Sequence, residues 1–272
     1  MRVANHDHAV TAASARAARR RTLQVTTTAA VFAVLSLSGC ATRPKDPEAL
    51  ADYESTNDPL EPTNRFFYRV SNTVDRYTFK PVAKAYVAVL PQPVRSGVHN
   101  VLLNVGNPTT LANDVLEGKP KRAGTTLMRL VINSTVGVAG IFDVAKGWGY
   151  PAHEADGGLT LASWGLPSGP YLFLPLLGPS SPRDATGFGL DVGLAPLTYV
   201  PRGYGLLTLN YALYGIGLVD ARAQVLDQLD QIQRDYLDPY ASIRSLYRQH
   251  RAAQVEELHK DNGMTTPDWY TQ

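Results

Sequence analysis

"LTLASWGLPSGPYLFLPLLGPSSP", Leu159 to Pro182, runs for 24 residues without a charged side chain, yet contains five prolines. A membrane-spanning helix is excluded. Pro167, Pro170, Pro175, Pro179 and Pro182 would each delete a backbone donor, at about 3 kcal/mol apiece in a helix interior. Irregular backbone facing hydrocarbon is excluded as well, because its amides would lack partners; it is tolerated only inside protein or along a wet cavity. Two readings remain: a buried loop of a soluble domain, or an element held at bilayer depth by surrounding helices. In the second, Trp148, Tyr150, Trp164, Tyr171, Tyr199 and Tyr204 would serve as interfacial aromatics.

The surroundings share this character. From Gly137 to Val219 glycine, proline and aromatic residues crowd in while charges nearly vanish. Gly203 to Val219, "GYGLLTLNYALYGIGLV", holds 17 uncharged residues. As a helix it is about 25 Å long, short of the ~30 Å hydrocarbon core, and apolar nearly all round. "GFGLDVG", Gly187 to Gly193, lacks nucleotide-loop spacing and does not follow a strand, so it reads as a site of close packing.

On the N-terminal side the pattern is helical. In "NDPLEPTNRFFYRV" Asp58 is placed to cap a helix, with Pro59 at its first position and Glu61 at its third. Phe66, Val70, Val74 and Tyr77 follow on one side. A break at Lys80-Pro81 separates a second helix, Pro81 to Leu90. Val94, Val98, Val101, Leu102 and Val105 form the next stripe, interrupted at Pro108 and resumed in "TLANDVLEG" up to Gly118. Ala123, Leu127, Leu130, Val131 and Ser134 form another, with Lys121, Arg122, Thr125 and Arg129 expected to face away from the core. Strand alternation of any length is absent. On the C-terminal side Leu218, Val225, Leu229, Ile232 and Tyr236 lie along one face of a charged helix that restarts at Asp238-Pro239-Tyr240 and is expected to pack against the domain.

The N-terminus has a separate origin. Arg16, Arg19, Arg20 and Arg21 precede an uncharged run that ends at Leu37-Ser38-Gly39-Cys40, the arrangement of a secretory signal with a cysteine at the cleavage point. Leu37 to Cys40 resembles the lipobox of bacterial lipoproteins. That resemblance implies acylation of Cys40, with two or three chains giving durable anchoring, and Ala41 favours the outer membrane over the inner. The arginine cluster leaves twin-arginine export open. Without residues 1–39 the chain keeps 21 of its 26 basic and 23 of its 24 acidic residues, a formal charge of −2, so no nucleic-acid partner is expected. Cys40 is the sole cysteine, so no intramolecular disulfide can form.

Catalytic signals are poor. There is no Gly-x-Ser-x-Gly elbow, no phosphate-binding loop and no spaced Cys/His pattern; His153 with Glu154 and Asp156 forms the one local cluster and reads as an exposed loop. No enzyme activity, cofactor or metal is expected.

Five stretches taken together resemble the VacJ/MlaA family of lipoproteins: "DPLEPTNRFFYRVSNTVD", "PVAKAYVAVLPQPVRSGVHNVLLNVGNPTTLANDVLEGKP", "INSTVGVAGIFDVA", "GLTLASWGLPSGPYLFLPLLGPSSPRD" and "LDPYASIRSLYRQHR". The residues that match the family pattern are Asp58, Pro59, Glu61, Asn64, Arg65, Gly165, Gly169, Pro170, Tyr171, Pro175, Gly178, Pro179, Arg183, Asp184, Asp238, Pro239, Tyr240 and Arg244. Pro62-Thr63 departs from it. The resemblance implies an all-α, ring-like, membrane-embedded domain with a Gly/Pro-rich irregular block, a long C-terminal helix and an amphipathic channel. It implies a protein in the inner leaflet of the outer membrane that removes misplaced phospholipid from the outer leaflet. Its implied partners are a trimeric porin and a periplasmic lipid carrier feeding an inner-membrane ABC transporter.

The expected organisation is a signal peptide (1–39), a lipidated tether (40–57), the helical domain (58–251) and a tail (252–272). Channel-lining or membrane-facing positions are expected at Leu159, Trp164, Leu166, Leu172, Phe173, Leu174, Leu176, Leu177, Leu206, Leu209 and Leu213, together with Tyr171. Arg183-Asp184, and Asp238 to Tyr240 with Arg244, are expected to cap and pair rather than touch lipid. The alternatives are a scaffold lipoprotein that carries no lipid, with the uncharged block as its core, and a lipid hydrolase, for which no nucleophile motif speaks.

Overall fold

A computed structural model describes residues 46, 56–199 and 204–260. The signal, the lipobox with Cys40 and most of the tether lie outside these residues, as do the side chains of Tyr204 and Leu206.

The helical class is borne out. Helix α1 (Glu61–Val74) passes through a π-turn (Asp75–Phe79) into α2 (Lys80–Val89). The expected break at Lys80-Pro81 does not occur. The Lys80 amide bonds back to Asp75 O, five residues earlier, and this wide turn admits Pro81 without ending the helix. Helix α1 also begins later than Asp58 predicts. Leu60 occupies its N-cap without a side-chain bond, and Pro62 sits in the first turn. Asp58 is buried instead, committed to distant partners.

Helix α3 (Gln92–Leu116) continues across Pro108, contrary to the expected interruption, and ends where Gly118 adopts a φ of +70°. Helix α4 (Pro120–Thr135) returns against it, and a short α5 (Val144–Gly147) is capped by Asp143. In the uncharged block, α6 (Gly157–Ser163) is capped by Asp156, and a hairpin joins β1 (Leu172–Leu174) to β2 (Gly178–Ser180). These two short strands were not anticipated, because three residues are too few to show alternation. Helix α7 (Pro182–Leu194) is capped by Ser181 and followed by a 3₁₀ turn (Pro196–Thr198). Helices α8 (Tyr204–Gln224), α9 (Leu226–Asp235) and α10 (Pro239–Lys260) complete the chain. Helix α10 runs through the expected domain limit at residue 251 and buries Leu258.

"GFGLDVG" is a packing site. A Cβ on Gly187 would lie 2.1 Å from Gly158 N and 2.4 Å from Gly157 C, so the absence of side chains lets α6 and α7 meet backbone to backbone.

The interior reverses the expectation drawn from the stripes. Helix α4 buries Arg122, Thr125, Thr126, Arg129 and Asn133, and turns Leu127, Met128 and Val131 outward. Helix α3 buries Asn104, Asn107, Asn113 and Asp114, and exposes Val94, Leu103, Val105 and Val115. Helix α1 exposes Phe66 and Val70, with Tyr77 of the π-turn, and buries Asn64. Along α8 and α9 the expected packing face leaves Leu218, Val225 and Tyr236 exposed and buries Ile232. Periodicity identifies the faces of a helix; which one turns inward depends on what surrounds the protein, and in lipid the apolar face gains nothing by turning in.

One apolar cluster does exist. Tyr171, Phe173 and Tyr240 are buried together, with Phe67, Tyr68 and Tyr247 packed around them. The rings meet edge to face at 5.6–6.0 Å between centroids, worth about 0.5–1.5 kcal/mol per pair beyond area burial. This cluster joins the hairpin to α1 and α10. Among the described residues no helix is long and apolar enough to cross a membrane.

Candidate functional site

The uncharged block is secured by polar side chains at its edges. Asn64 donates to Asp58 Oδ1 (2.8 Å) and to Tyr171 O (3.0 Å), and accepts from Phe173 N (2.9 Å). The other oxygen of Asp58 accepts from Tyr240 and from Arg244 Nη1 (2.8 Å). Arg65 grips Asp238 through both terminal nitrogens, at 3.1 and 2.6 Å, and lies 4.4 Å from the Tyr240 ring centre. Asp238 also bonds the Ala241 amide at the start of α10. Pairing with Arg65 holds its carboxyl below the usual range. Burial and the Asp58 carboxylate push the Tyr240 phenol far above its ordinary value. Asp58, Asn64, Arg65, Asp238, Tyr240 and Arg244 thus form one clamp between α1 and α10.

A second assembly joins α3, α4, the cap of α5 and the segment between α5 and α6. Arg129 donates to Tyr150 O (2.7 Å) and to Asp143 Oδ2 (3.1 Å), and Asn133 donates to Asp143 Oδ1 (3.0 Å). His153 does not associate with Asp156. Its Nε2 lies 2.8 Å from Asp114 Oδ1, while Thr126 donates to Asp114 Oδ2 at 2.6 Å. Thr126 Oγ1 also lies 3.5 Å from His153 Nε2, and both Thr126 and Asp114 are buried. Among the described residues no group of three or more His, Cys, Asp or Glu could hold a metal.

Two cavities flank α7, the smaller of them against the uncharged block. The larger, about 410 Å³, runs between α3, α7, the 3₁₀ turn and α8, walled by Leu102, Val105, Phe188, Val192, Leu197, Leu213, Tyr214 and Leu218. Asn210 and Asp191 supply polar groups there. The smaller, about 300 Å³, lies between the hairpin, α7 and α10, with Leu174, Leu177 and Pro179 on one side and Asp156, Asp184, Tyr247 and Arg251 on the other. Phe188 and Asp191 line both. Oδ1 of Asp191 accepts from Asn113 Nδ2 (2.7 Å) and Gly157 N (2.9 Å). Burial raises its carboxyl pKa, outweighing those two bonds, and neighbouring Asp156 adds to the rise.

The positions expected to line a channel or face lipid divide into three groups. Trp164, Leu166, Leu176, Leu177 and Leu209 are exposed, with Leu176 at a φ of +65° in the hairpin turn and its amide bonded to Ser71. Leu172, Leu174 and Leu213 are half-buried, Leu174 and Leu213 each lining a cavity. Leu159, Tyr171 and Phe173 are corrected: they are 1%, 2% and 6% exposed and pack inside the protein. Leu159 lies in the wholly buried run of α6, and the alternation of β1 turns Phe173 inward between half-buried Leu172 and Leu174. Of the proposed interfacial aromatics, Trp148, Trp164 and Tyr199 are exposed and Tyr150 is half-buried. Of the motif residues, Arg183 and Asp184 pair with each other (3.0 Å), and Asp184 also takes Arg251 and Tyr247. Pro59, Pro170, Pro175, Gly165, Gly169, Gly178, Pro179 and Pro239 shape the turns and strands around them; Gly165, Gly169 and Gly178 do so at positive φ.

Sequence reading missed Asn113, Asp114, Arg129, Asp143, Asp191 and Arg251. A signal was present: Asn104, Asn107 and Asp114, and then Arg122, Thr126, Arg129 and Asn133, recur at helical spacing as polar stripes.

Comparison with known proteins accords with this geometry. The model of the MlaA lipoprotein family matches residues 56–254. The chain belongs to the MlaA lipoprotein family. It is 30% identical over 233 residues to the intermembrane phospholipid transport system lipoprotein MlaA of Haemophilus influenzae, covering 84% of this chain and 89% of that one. It is 33% identical over 220 residues to the protein of the same name from Escherichia coli K12, covering 78% and 82%. A solved structure reported as "Structural basis for maintenance of bacterial outer membrane lipid asymmetry" matches with a TM-score of 0.63 at 30% identity, over 73% of this chain and 98% of that one. The family resemblance read from the sequence is borne out, and the helical fold is shared with that MlaA neighbour.

Proposed function

We propose that this MlaA family member is an outer-membrane lipoprotein that takes mislocalised phospholipid out of the outer leaflet and passes it to a periplasmic lipid carrier. In this reading acylated Cys40 holds the chain at the inner leaflet, and a ring-like body sits in that leaflet beside a trimeric porin. The carrier delivers lipid to an inner-membrane ABC transporter. The observation that carries the reading is the reversed packing: apolar faces of α1, α3 and α4 point outward, a buried polar network holds the helices together, and an apolar cavity large enough for acyl chain opens between α3, α7 and α8. A headgroup crosses hydrocarbon only at high cost, so a passage needs polar groups along it, while the acyl chains need apolar walls. Leu213 and Leu218 on α8 would meet acyl chains.

A photo-reactive residue at Leu213 in cells tests this. The expected product is a phospholipid adduct, and deletion of the chain raises sensitivity to detergent plus chelator. Absence of adduct together with unchanged sensitivity would favour the scaffold reading. Release of fatty acid from phospholipid by the purified protein would favour the hydrolase.

A further inference from the structure

The two cavities flanking α7 meet at Phe188 and Asp191, and their chemistries differ. One is apolar and the other is half polar. In the smaller cavity the charges can be paired off one by one. Asp184 binds Arg251 through both of its oxygens, at 2.9 and 3.0 Å, and also binds Arg183. Asp156 binds Arg251 at 2.7 and 3.1 Å. With a further bond from Nη1 to Gln254, Arg251 spends all the donors a guanidinium has, and none is left for an anion. Among the described residues Asp191 has no ion-pair partner of its own; Arg251, committed to Asp156 and Asp184, acts on it only from a distance. Its Oδ1 is satisfied by Asn113 and Gly157, while Oδ2 has no partner among the described residues, and the residue lies where the two cavities meet.

Resting on the lipid-transport reading above, we propose that Asp191 is the headgroup-selecting residue. Its free oxygen receives the ammonium of an ethanolamine-type phospholipid while an acyl chain occupies the cavity between α3, α7 and α8. An ammonium there restores the missing positive charge and donates to the open oxygen. A headgroup with net negative charge meets an unpaired carboxylate and a guanidinium without spare donors. Burial, with neighbouring Asp156, raises the Asp191 pKa despite two hydrogen bonds and the field of Arg251, in accord with this arrangement.

Asp191→Asn tests the assignment with little disturbance, because the amide oxygen keeps both bonds made by Oδ1 while the charge and the open acceptor are removed together. The lipidated protein is equilibrated in detergent micelles with equal amounts of phosphatidylethanolamine and phosphatidylglycerol, and bound lipid is read by native mass spectrometry. The wild type is expected to carry phosphatidylethanolamine about fivefold over its share, as one exposed-to-half-buried charge contact allows, and Asp191→Asn to carry the two in proportion to supply. Leu177→Lys, which adds a competing ammonium to the wall of the smaller cavity, is expected to abolish the preference as well and does not depend on Asp191→Asn folding. Equal lipid ratios in wild type and Asp191→Asn, or wild-type enrichment of phosphatidylglycerol, would overturn the proposal and leave lipid transport standing. If the wild type binds neither lipid, the transport reading fails and this one with it.

Discussion

The Tyr171–Phe173–Tyr240 cluster and the facing sides of α3 and α4 are both closed to solvent, by opposite chemistries. The first is aromatic rings with a carboxylate, Asp58, at its edge; the second is amides, hydroxyls and guanidinium groups, with leucine and valine on its outer surface. In water the first arrangement is stabilised by removing apolar area from solvent, and the second by little beyond modest hydrogen bonds. Beside lipid the ranking changes, because an unpaired polar group facing hydrocarbon is costly and an apolar one is not. On the proposed function, lipid would be the medium around α1, α3 and α4, and the aromatic cluster joins α1, the hairpin and α10.

The strongest way to break the contrast is at the carboxylate of the first region. Asp58→Ala leaves Arg244, Tyr240 and Asn64 without their shared partner and is expected to cost about 3–5 kcal/mol, read as a lower unfolding midpoint in detergent. A loss under 1 kcal/mol would mean that the clamp is ornamental. Next comes the outer face of the second region. In an anchorless Cys40→Ala background, Val131→Asp is expected to leave unfolding in micelles unchanged but to lower partition into phospholipid vesicles about a hundredfold, the equivalent of placing one carboxylate in hydrocarbon. Unchanged partition would show that protein, not lipid, covers that face.

The smallest effect is a pH dependence at the end of α3. Glu117 is buried beside Asp114, and its carboxyl is pushed up to about 7, mainly by burial. In the unfolded chain it ionises near its ordinary value of 4.5. The folded protein thus loses stability as pH rises from about 4.5 to about 7, and loses no more above that. Glu117→Gln is expected to stabilise by on the order of 1–3 kcal/mol at pH 8 and to match the wild type at pH 4, by paired unfolding curves. Equal curves at both values would place Glu117 in a wetter site.

Much of this was legible in the sequence. Proline count and helical spacing identify a helical protein with an irregular uncharged block, and the family motifs identify its relatives. The inward face of each helix was not legible, because a hydrophobic stripe at Leu127 and Val131 reads the same whether water or lipid lies beyond it. Nor was the role of Asp58, which fits a helix cap locally until Tyr240 and Arg244, more than 180 positions away, claim its oxygens. Asp191 was hidden for the same reason, since its partners come from α3 and α6 and its free oxygen is defined by what fails to reach it.

Arg248 of α10 bonds Thr56 O, at the point where the chain arrives from Cys40. Sixteen residue steps separate Cys40 from Thr56, a leash of at most about 55 Å when fully drawn out. With acyl chains on Cys40, tension along that leash would reach α10 first and, through Arg244 and Asp58, the base of the hairpin. On the proposed function, such an anchor would act as a mooring as well as an address: it would limit how far the C-terminal helix can ride above the membrane, and a partner drawing the body toward the periplasm would pull against the clamp.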